Sequence, residues 1–172
     1  MYQRYTKRKA NFKHYSFQCL EKHGHWWKMQ QGSKVGYAAK YNFVCKDAAE
    51  EHEKELWYFG DLSREEAEGL LEDSSNPQGS FLVRRSTRNF GMDVLSLKFN
   101  DTYRHYNVNT DGEEFWFKSR RKFESLSTLI NSYMENKSDG VATKLSKICN
   151  IPDPLEDRSF HLIITGQGST RK

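Results

Sequence analysis

The chain has 172 residues, 36% of them hydrophobic and 29% charged, with a formal net charge of +4 at neutral pH. That length suffices for one well-cored domain and a smaller appendage, and four Trp, nine Tyr and eleven Phe are too many for a solvated, disordered coil. No apolar run approaches the ~18 residues of a membrane span, and the first residues lack the apolar stretch of a secretion signal.

The three cysteines, Cys19, Cys45 and Cys149, are scattered and odd in number, as expected of a reduced, cytoplasmic compartment. The basic residues are grouped. Arg84, Arg85 and Arg88 form one cluster; Lys118, Arg120, Arg121 and Lys122 form another. Such grouping suits an anionic partner (phosphopeptide, acidic lipid or nucleic acid), with solvated surface charge as the plainer alternative.

In chain order, residues 1–25 are basic and aromatic, with a strand signal at 15–20. Cys19, His23 and His25 lack a fourth ligand at a standard spacing, so no metal site is expected. Trp26-Trp27-Lys28-Met29, a polar turn at 30–33 and Val35-Gly36-Tyr37 predict one short hairpin. Residues 46–55 (KDAAEEHEKE) show no apolar face and read as a linker. Ser63, with Glu66 three residues on, is a capping box. The helix it opens runs through Ala67, Leu70 and Leu71. Asn76-Pro77-Gln78-Gly79 is a turn. Segments 81–85, 94–99, 104–109 and 114–118 alternate with period two and predict strands, with Asp111-Gly112 turning between the last two. Leu126, Leu129, Ile130 and Tyr133, spaced i, i+3, i+4, i+7, predict a second helix. Helix, strands, helix is an α+β order: a central antiparallel β-sheet flanked by two α-helices.

Within the strand at 81–85, alternation puts Phe81, Val83 and Arg85 on one face and Leu82 and Arg84 on the other. Large apolar residues on both faces predict a central strand covered on both sides. A guanidinium on a covered face needs a partner, because an unpaired buried charge costs several kcal/mol. No carboxylate stands at matching positions of the neighbouring strand segments, whereas Ser86, Thr87 and Arg88 follow at once. Hydroxyls and a second cation around a guanidinium suit a tetrahedral dianion. An ion pair with a distant Glu is the alternative.

Taken together, Trp57-Tyr58-Phe59-Gly60, Ser63-Arg64, Gly79-Ser80-Phe81-Leu82-Val83-Arg84-Arg85-Ser86, Leu95-Ser96-Leu97, Arg104-His105-Tyr106 and Ser138-Asp139-Gly140 resemble an SH2 domain of the Src/Abl cytoplasmic tyrosine-kinase class. The resemblance spans residues 56–150, with the motifs in order. It implies a phosphotyrosine-binding pocket of Arg64, Arg84, Ser86, Thr87, Arg88 and His105. Arg84 would grip the phosphate as a bidentate fork, Arg64 would add a second contact and lie over the tyrosine ring, and 86–88 would wrap the phosphate. His105 would pack on the ring. Tyr106, Phe117 and Tyr133 would line a pocket for an apolar side chain three residues after the phosphotyrosine, with Lys118 and Gly140 beside it. The plainer readings are a satisfied sheet histidine for His105, core aromatics for Tyr106, Phe117 and Tyr133, and ordinary loop residues for Thr87 and Arg88. Two departures stand out. Asn107 replaces a strand lysine of the family, and Arg85 replaces the glutamate that usually follows the strand arginine.

Residues 15–45 resemble the second half of an SH3 domain, through Gly24-His25-Trp26-Trp27-Lys28-Met29 and Gly36-Tyr37, with Ala39 where a proline is expected. Residues 1–45 thus read as a partial SH3-like segment. In the tail, 151–172, Gly166-Gln167-Gly168 stands where the resemblance would place a kinase glycine loop. The strand lysine and the HRD and DFG motifs needed for phosphoryl transfer are not in the sequence. The expectation is a non-catalytic, cofactor-free, monomeric reader of tyrosine-phosphorylated proteins, acting as an adaptor or as the regulatory fragment of a tyrosine kinase. A basic phospholipid-binding module using Arg120, Arg121 and Lys122, with an acidic membrane surface as partner, is the other reading; nucleic acid is not expected.

Overall fold

The computed structural model describes residues 4–7, 17–23, 26–40, 43–45, 50–89, 91–118, 121–136 and 140–151. The chain divides into two compact units, Met1–Ala48 with Ile151–Lys172, and Ala49–Asn150. The tail motif at 166–168, along with His25, Arg120, Ser138 and Asp139, lies outside the described residues.

In the first unit the expected hairpin is β3 (Trp26–Gln31) and β4 (Lys34–Ala39). It closes where Gln31 faces Lys34, around Gly32 at φ +58°, a left-handed turn position that glycine adopts without Cβ strain. The hairpin is only part of a larger sheet. With β1 (Arg4–Lys7), β2 (Phe17–His23) and β5 (Phe43–Cys45) it forms five strands in the order β4-β3-β2-β1-β5, every neighbour antiparallel. Short, polar strands such as β1 carry no period-two signal of their own, so their pairing was invisible in the sequence. Met29, Ala38 and Phe43 form the small core, packed by Phe17, Cys19 and Trp27, whereas Trp26 and Tyr37 are exposed.

The second unit opens with a 3-10 turn at Glu51–Lys54, inside the stretch expected to be a linker; 46–49 lie outside the described residues. Then follow β6 (Tyr58–Asp61), α1 (Arg64–Glu72), β7 (Ser80–Arg85), β8 (Asp93–Phe99), β9 (Thr102–Asn107), β10 (Asn109–Thr110), β11 (Phe115–Trp116), α2 (Leu126–Glu135) and β12 (Lys147–Ile148). The main sheet runs β12-β7-β8-β9, with β6 also on β7. β7, β8 and β9 are antiparallel, as expected, but β6 and β12 join β7 in parallel. These two short edges depend on docking across the chain, which no local pattern encodes. The strand expected at 114–118 shrinks to β11, paired with β10 in a separate two-stranded sheet. Asp111 shortens it by accepting the amides of Glu113 and Glu114 at 3.2 and 2.8 Å, committing those residues to the turn.

Both helices start as the sequence predicts. Ser63 accepts the Glu66 amide, and Glu66 returns a bond to the Ser63 amide, completing the capping box. Ser125 caps α2 by accepting from the Thr128 amide, and Leu126, Leu129, Ile130 and Tyr133 are all buried. They join Phe81, Val83, Leu95 and Leu97 in the main core; burying each such side chain contributes roughly 1.5–3 kcal/mol. On the other side α1 lies against β7 and β8, with Leu62, Ala67, Leu71 and Leu82 fully buried. β7 is therefore covered on both faces, as its composition required.

The C-terminal edge is fastened by one side chain. Asn76 donates to the Leu70 carbonyl at 2.9 Å and to the Asn150 carbonyl at 3.0 Å, and accepts the Asn150 amide at 2.6 Å. It is 1% exposed, so truncation leaves three backbone groups unpaired in a place water cannot easily reach. Asn76→Ala should lower stability by about 2–3 kcal/mol, read as a lower urea midpoint at unchanged slope.

Candidate functional site

The site grows out of strand register. On β7, Leu82 faces Ser96 of β8, and Ser96 faces His105 of β9. Arg84, two residues after Leu82, shares that face, which α1 covers. Register and alternation therefore bring an arginine, a serine and a histidine together beneath one helix.

Arg84 is 5% exposed. Its Nε donates to Ser96 Oγ at 3.2 Å and its Nη1 to the Leu62 carbonyl at 3.1 Å. Two of the five guanidinium N–H groups are thus engaged, and among the described residues no carboxylate comes within ion-pair distance. The distant-Glu alternative does not occur there. Burial disfavours the charged form and lowers the Arg84 pKa, with nearby Glu65 opposing that shift. A buried cation held by a carbonyl and a hydroxyl is a poor structural ion pair and a good anion receptor.

Around it stand the other predicted residues. Arg64, at the first position of α1, is more than half exposed and donates from Nε to Glu68 Oε1 at 2.9 Å. His105 lies between Ser96 Oγ, 3.0 Å from Nδ1, and Glu68 Oε1, 2.9 Å from Nε2. Ser86 is buried and organises the loop after β7: its Oγ accepts the Arg88 and Asn89 amides at 3.3 and 3.0 Å, and its own amide donates to the Met92 carbonyl at 2.8 Å. Thr87 and Arg88 are exposed on that loop, with Arg88 paired to Glu65 at 3.2 Å. Asn107 is exposed at the end of β9 and supplies no cation.

The residues assigned to the second pocket belong to the opposite face, where Tyr106 pairs with Leu95 of the main core. Tyr106, Phe117 and Tyr133 form a continuous aromatic row, with centroids 6.1 Å apart for the first pair and 5.1 Å for the second. Phe117 and Tyr133 are each 1% exposed and are core residues, whereas Tyr106 is half-buried. The Tyr106 hydroxyl accepts the Ala142 amide at 2.9 Å, tying the row to the segment after α2. Lys118 is exposed, as is Gly140 at φ +97°.

Arg85 points away from Arg84, as alternation requires. It pairs with Glu53 of the 3-10 turn and lies over the Tyr58 ring, 5.8 Å from its centroid. Across the loop, Asp93 accepts the Tyr58 hydroxyl at 2.9 Å and lies 3.4 Å from His52 Nε2. Burial and the Asp93 charge raise the Tyr58 pKa well above that of an ordinary phenol. Arg85 and Asp93 are register partners at the two feet of the 86–92 loop, so Glu53 and Tyr58 hold the base on which that loop stands. The alternation at 81–85 located Arg84, but three working residues escaped the sequence reading. Ser96 was signalled only as the lone polar residue in Leu95-Ser96-Leu97. Glu65 and Glu68 were signalled only by lying one and four residues after Arg64.

Burial, the first cause, lowers the His105 pKa from its ordinary 6.5, and the Glu68 contact opposes it only in part. The native state then binds fewer protons than the unfolded chain once pH drops below about 6.5, so stability declines as pH falls from there. His105→Asn should remove that decline, which denaturant titrations between about pH 7 and pH 5.5 would read. Glu68, whose pKa is lowered chiefly by Arg64, would act only at more acidic pH.

Among the described residues no helix is long and apolar enough to cross a membrane. Residues 57–133 match the family model of the SH2 domain, a non-catalytic module whose family binds phosphotyrosine peptides in signalling. With its sheet between two helices and a buried strand arginine on the face beneath the first, this chain carries an SH2 domain.

Proposed function

We propose that the second unit reads phosphotyrosine through Arg84, and that the chain acts as a cytoplasmic adaptor or regulatory module in tyrosine-kinase signalling. The observation that carries this reading is Arg84 itself: buried, held by neutral acceptors, and with no carboxylate within ion-pair distance among the described residues. Phosphotyrosine would supply an anion there, with about −1.5 to −2 charge and three acceptor oxygens. Arg84 would take the phosphate as a fork, Arg64 and Arg88 would approach from its rim, and the 86–88 loop would close over it. His105, packed between Ser96 and Glu68, would form the wall beside the ring.

A peptide crossing the sheet from the α1 face to the α2 face would bring a residue three positions further on near Tyr106, where Phe117 and Tyr133 back the surface and Lys118 and Gly140 flank it. For the first unit, the pairing of β1 with both β2 and the last strand β5 supports the SH3-like reading. The phospholipid reading gains less support: Lys122 is paired to Asp111 at 2.7 Å and Glu114 at 3.0 Å, which neutralises one of its three cations.

Calorimetric titration of the full chain tests this. A phosphotyrosine peptide with an apolar residue at the third following position should bind, and its unphosphorylated twin should not. Arg84→Ala should lose roughly 2–5 kcal/mol of binding, a weakening of about 30-fold to a few thousandfold. Equal binding of both peptides by a folded protein would exclude the reading.

A further inference from the structure

The pocket around Arg84 contains carboxylates of its own. Glu68 Oε1 receives both Arg64 Nε and His105 Nε2, each at 2.9 Å, and Glu65 holds Arg88 at 3.2 Å. The hydrogen bonds beneath Glu68 run in one direction. The Glu68 carboxylate only accepts, so the facing Nε2 of the neutral His105 ring carries the proton, and Nδ1 then accepts from the Ser96 hydroxyl, whose oxygen accepts from Arg84 Nε. An imidazole that accepts at Nδ1 carries its single proton at Nε2 and donates it to Glu68. A continuous chain, Arg84–Ser96–His105–Glu68–Arg64, thus links the two arginines through a neutral histidine and ends on an ionised carboxylate.

The charge count around this pocket is therefore low. Three arginines (Arg64, Arg84, Arg88) face two ion-paired carboxylates (Glu65, Glu68) across a neutral His105, Glu66 adds a third carboxylate acting on Arg84, and Asn107 adds nothing. That leaves little net positive charge to meet a ligand of about −1.5 to −2. The two carboxylates are not equivalent. Arg88 and Glu65 are 79% and 66% exposed, so water and salt screen their pair, whereas Glu68 is 31% exposed and touches the 11%-exposed His105.

We propose that Glu68 is the affinity-limiting counter-anion of this pocket, the carboxylate from which an incoming phosphate must take Arg64, so that binding is weaker than the three arginines alone would support. The proposal rests on the phosphotyrosine reading above and identifies a residue that limits it. Glu68 opposes the ligand in two ways. It occupies the Arg64 Nε donor, and it stays as a like charge on the α1 side once the phosphate has entered. The opposite role is also chemically reasonable: a carboxylate that merely orients Arg64 and His105 would assist binding, and its loss would weaken it. The sign of one substitution separates the two.

The test titrates the phosphotyrosine peptide and its unphosphorylated twin into the full wild-type chain, Glu68→Gln, Glu65→Gln and Arg84→Ala, with a thermal midpoint for each. Glu68→Gln keeps an acceptor for Arg64 and His105 while removing the charge. It should bind the phosphorylated peptide about fivefold tighter than wild type, an amount in keeping with one partly screened charge. Glu65→Gln should change binding less. The gain from Glu68→Gln should shrink between low and high salt, as repulsion at a partly exposed site is screened; a purely structural effect would not follow salt in this way. Should Glu68→Gln unfold, Glu68→Asp, which withdraws the carboxylate by one methylene, should show a smaller tightening. Unchanged or weaker binding by a folded Glu68→Gln, with wild type still requiring phosphate and Arg84, would overturn this inference and leave the phosphotyrosine reading standing. If no variant prefers the phosphorylated peptide, both fall.

Discussion

The organisation of the second unit follows from the placement of one guanidinium. Arg84 sits in the middle strand of a sheet covered on both sides, where an uncompensated charge costs several kcal/mol. What makes the position tolerable is a set of neutral acceptors assembled from three parts of the chain: the Leu62 carbonyl from the segment before α1, Ser96 from β8, and through Ser96 the His105 ring from β9. The capping box at Ser63 fixes where α1 begins, and that in turn sets Leu62 and Arg64 on either side of the pocket. Each of these features is ordinary, but together they hold a buried cation on neutral acceptors.

The sheet divides the work. One face carries the hydrocarbon load, with Phe81, Val83, Leu95 and Leu97 against the α2 stripe, and this is where most of the stabilising free energy resides. The other face combines fully buried Leu82, Ala67 and Leu71 with a short polar chain. A polar network at such a site holds its geometry because Arg84, Ser96, His105 and Glu68 are each bonded to the next. The aromatic row Tyr106–Phe117–Tyr133 connects the hydrophobic face to the surface after α2. A single sheet therefore offers a charged recess on one side and an aromatic wall on the other.

The 86–92 loop is held more by its feet than by its body. Ser86 folds it through its side chain and amide, while Arg85 and Asp93 anchor its ends to Glu53 and Tyr58. Replacement of the family's glutamate by Arg85 makes sense in that setting, since the residue finds an acidic partner in the preceding 3-10 turn. Part of a stretch without an apolar face, which reads as a linker, thereby becomes part of the frame around the 86–92 loop.

What the sequence determined by itself is what depends on neighbours along the chain. The capping box at Ser63 and Glu66, the apolar stripe of α2, the hairpin at 26–39 and the alternation that sends Arg84 and Arg85 to opposite faces were all legible, because backbone geometry sets their periods and caps. Tertiary structure alone decided the parallel edges β6 and β12, the reduction of 114–118 to β11, and the growth of the N-terminal hairpin into five strands. Two- to four-residue strands have too little local pattern to be seen and are stabilised by partners far away in the chain. The same holds at the site. Arg84 was visible as a charge on a covered strand, but Ser96, Glu65 and Glu68 became partners only through sheet register and helix docking. A hydrogen bond between distant residues is a matter of position in space, which one-dimensional spacing does not record.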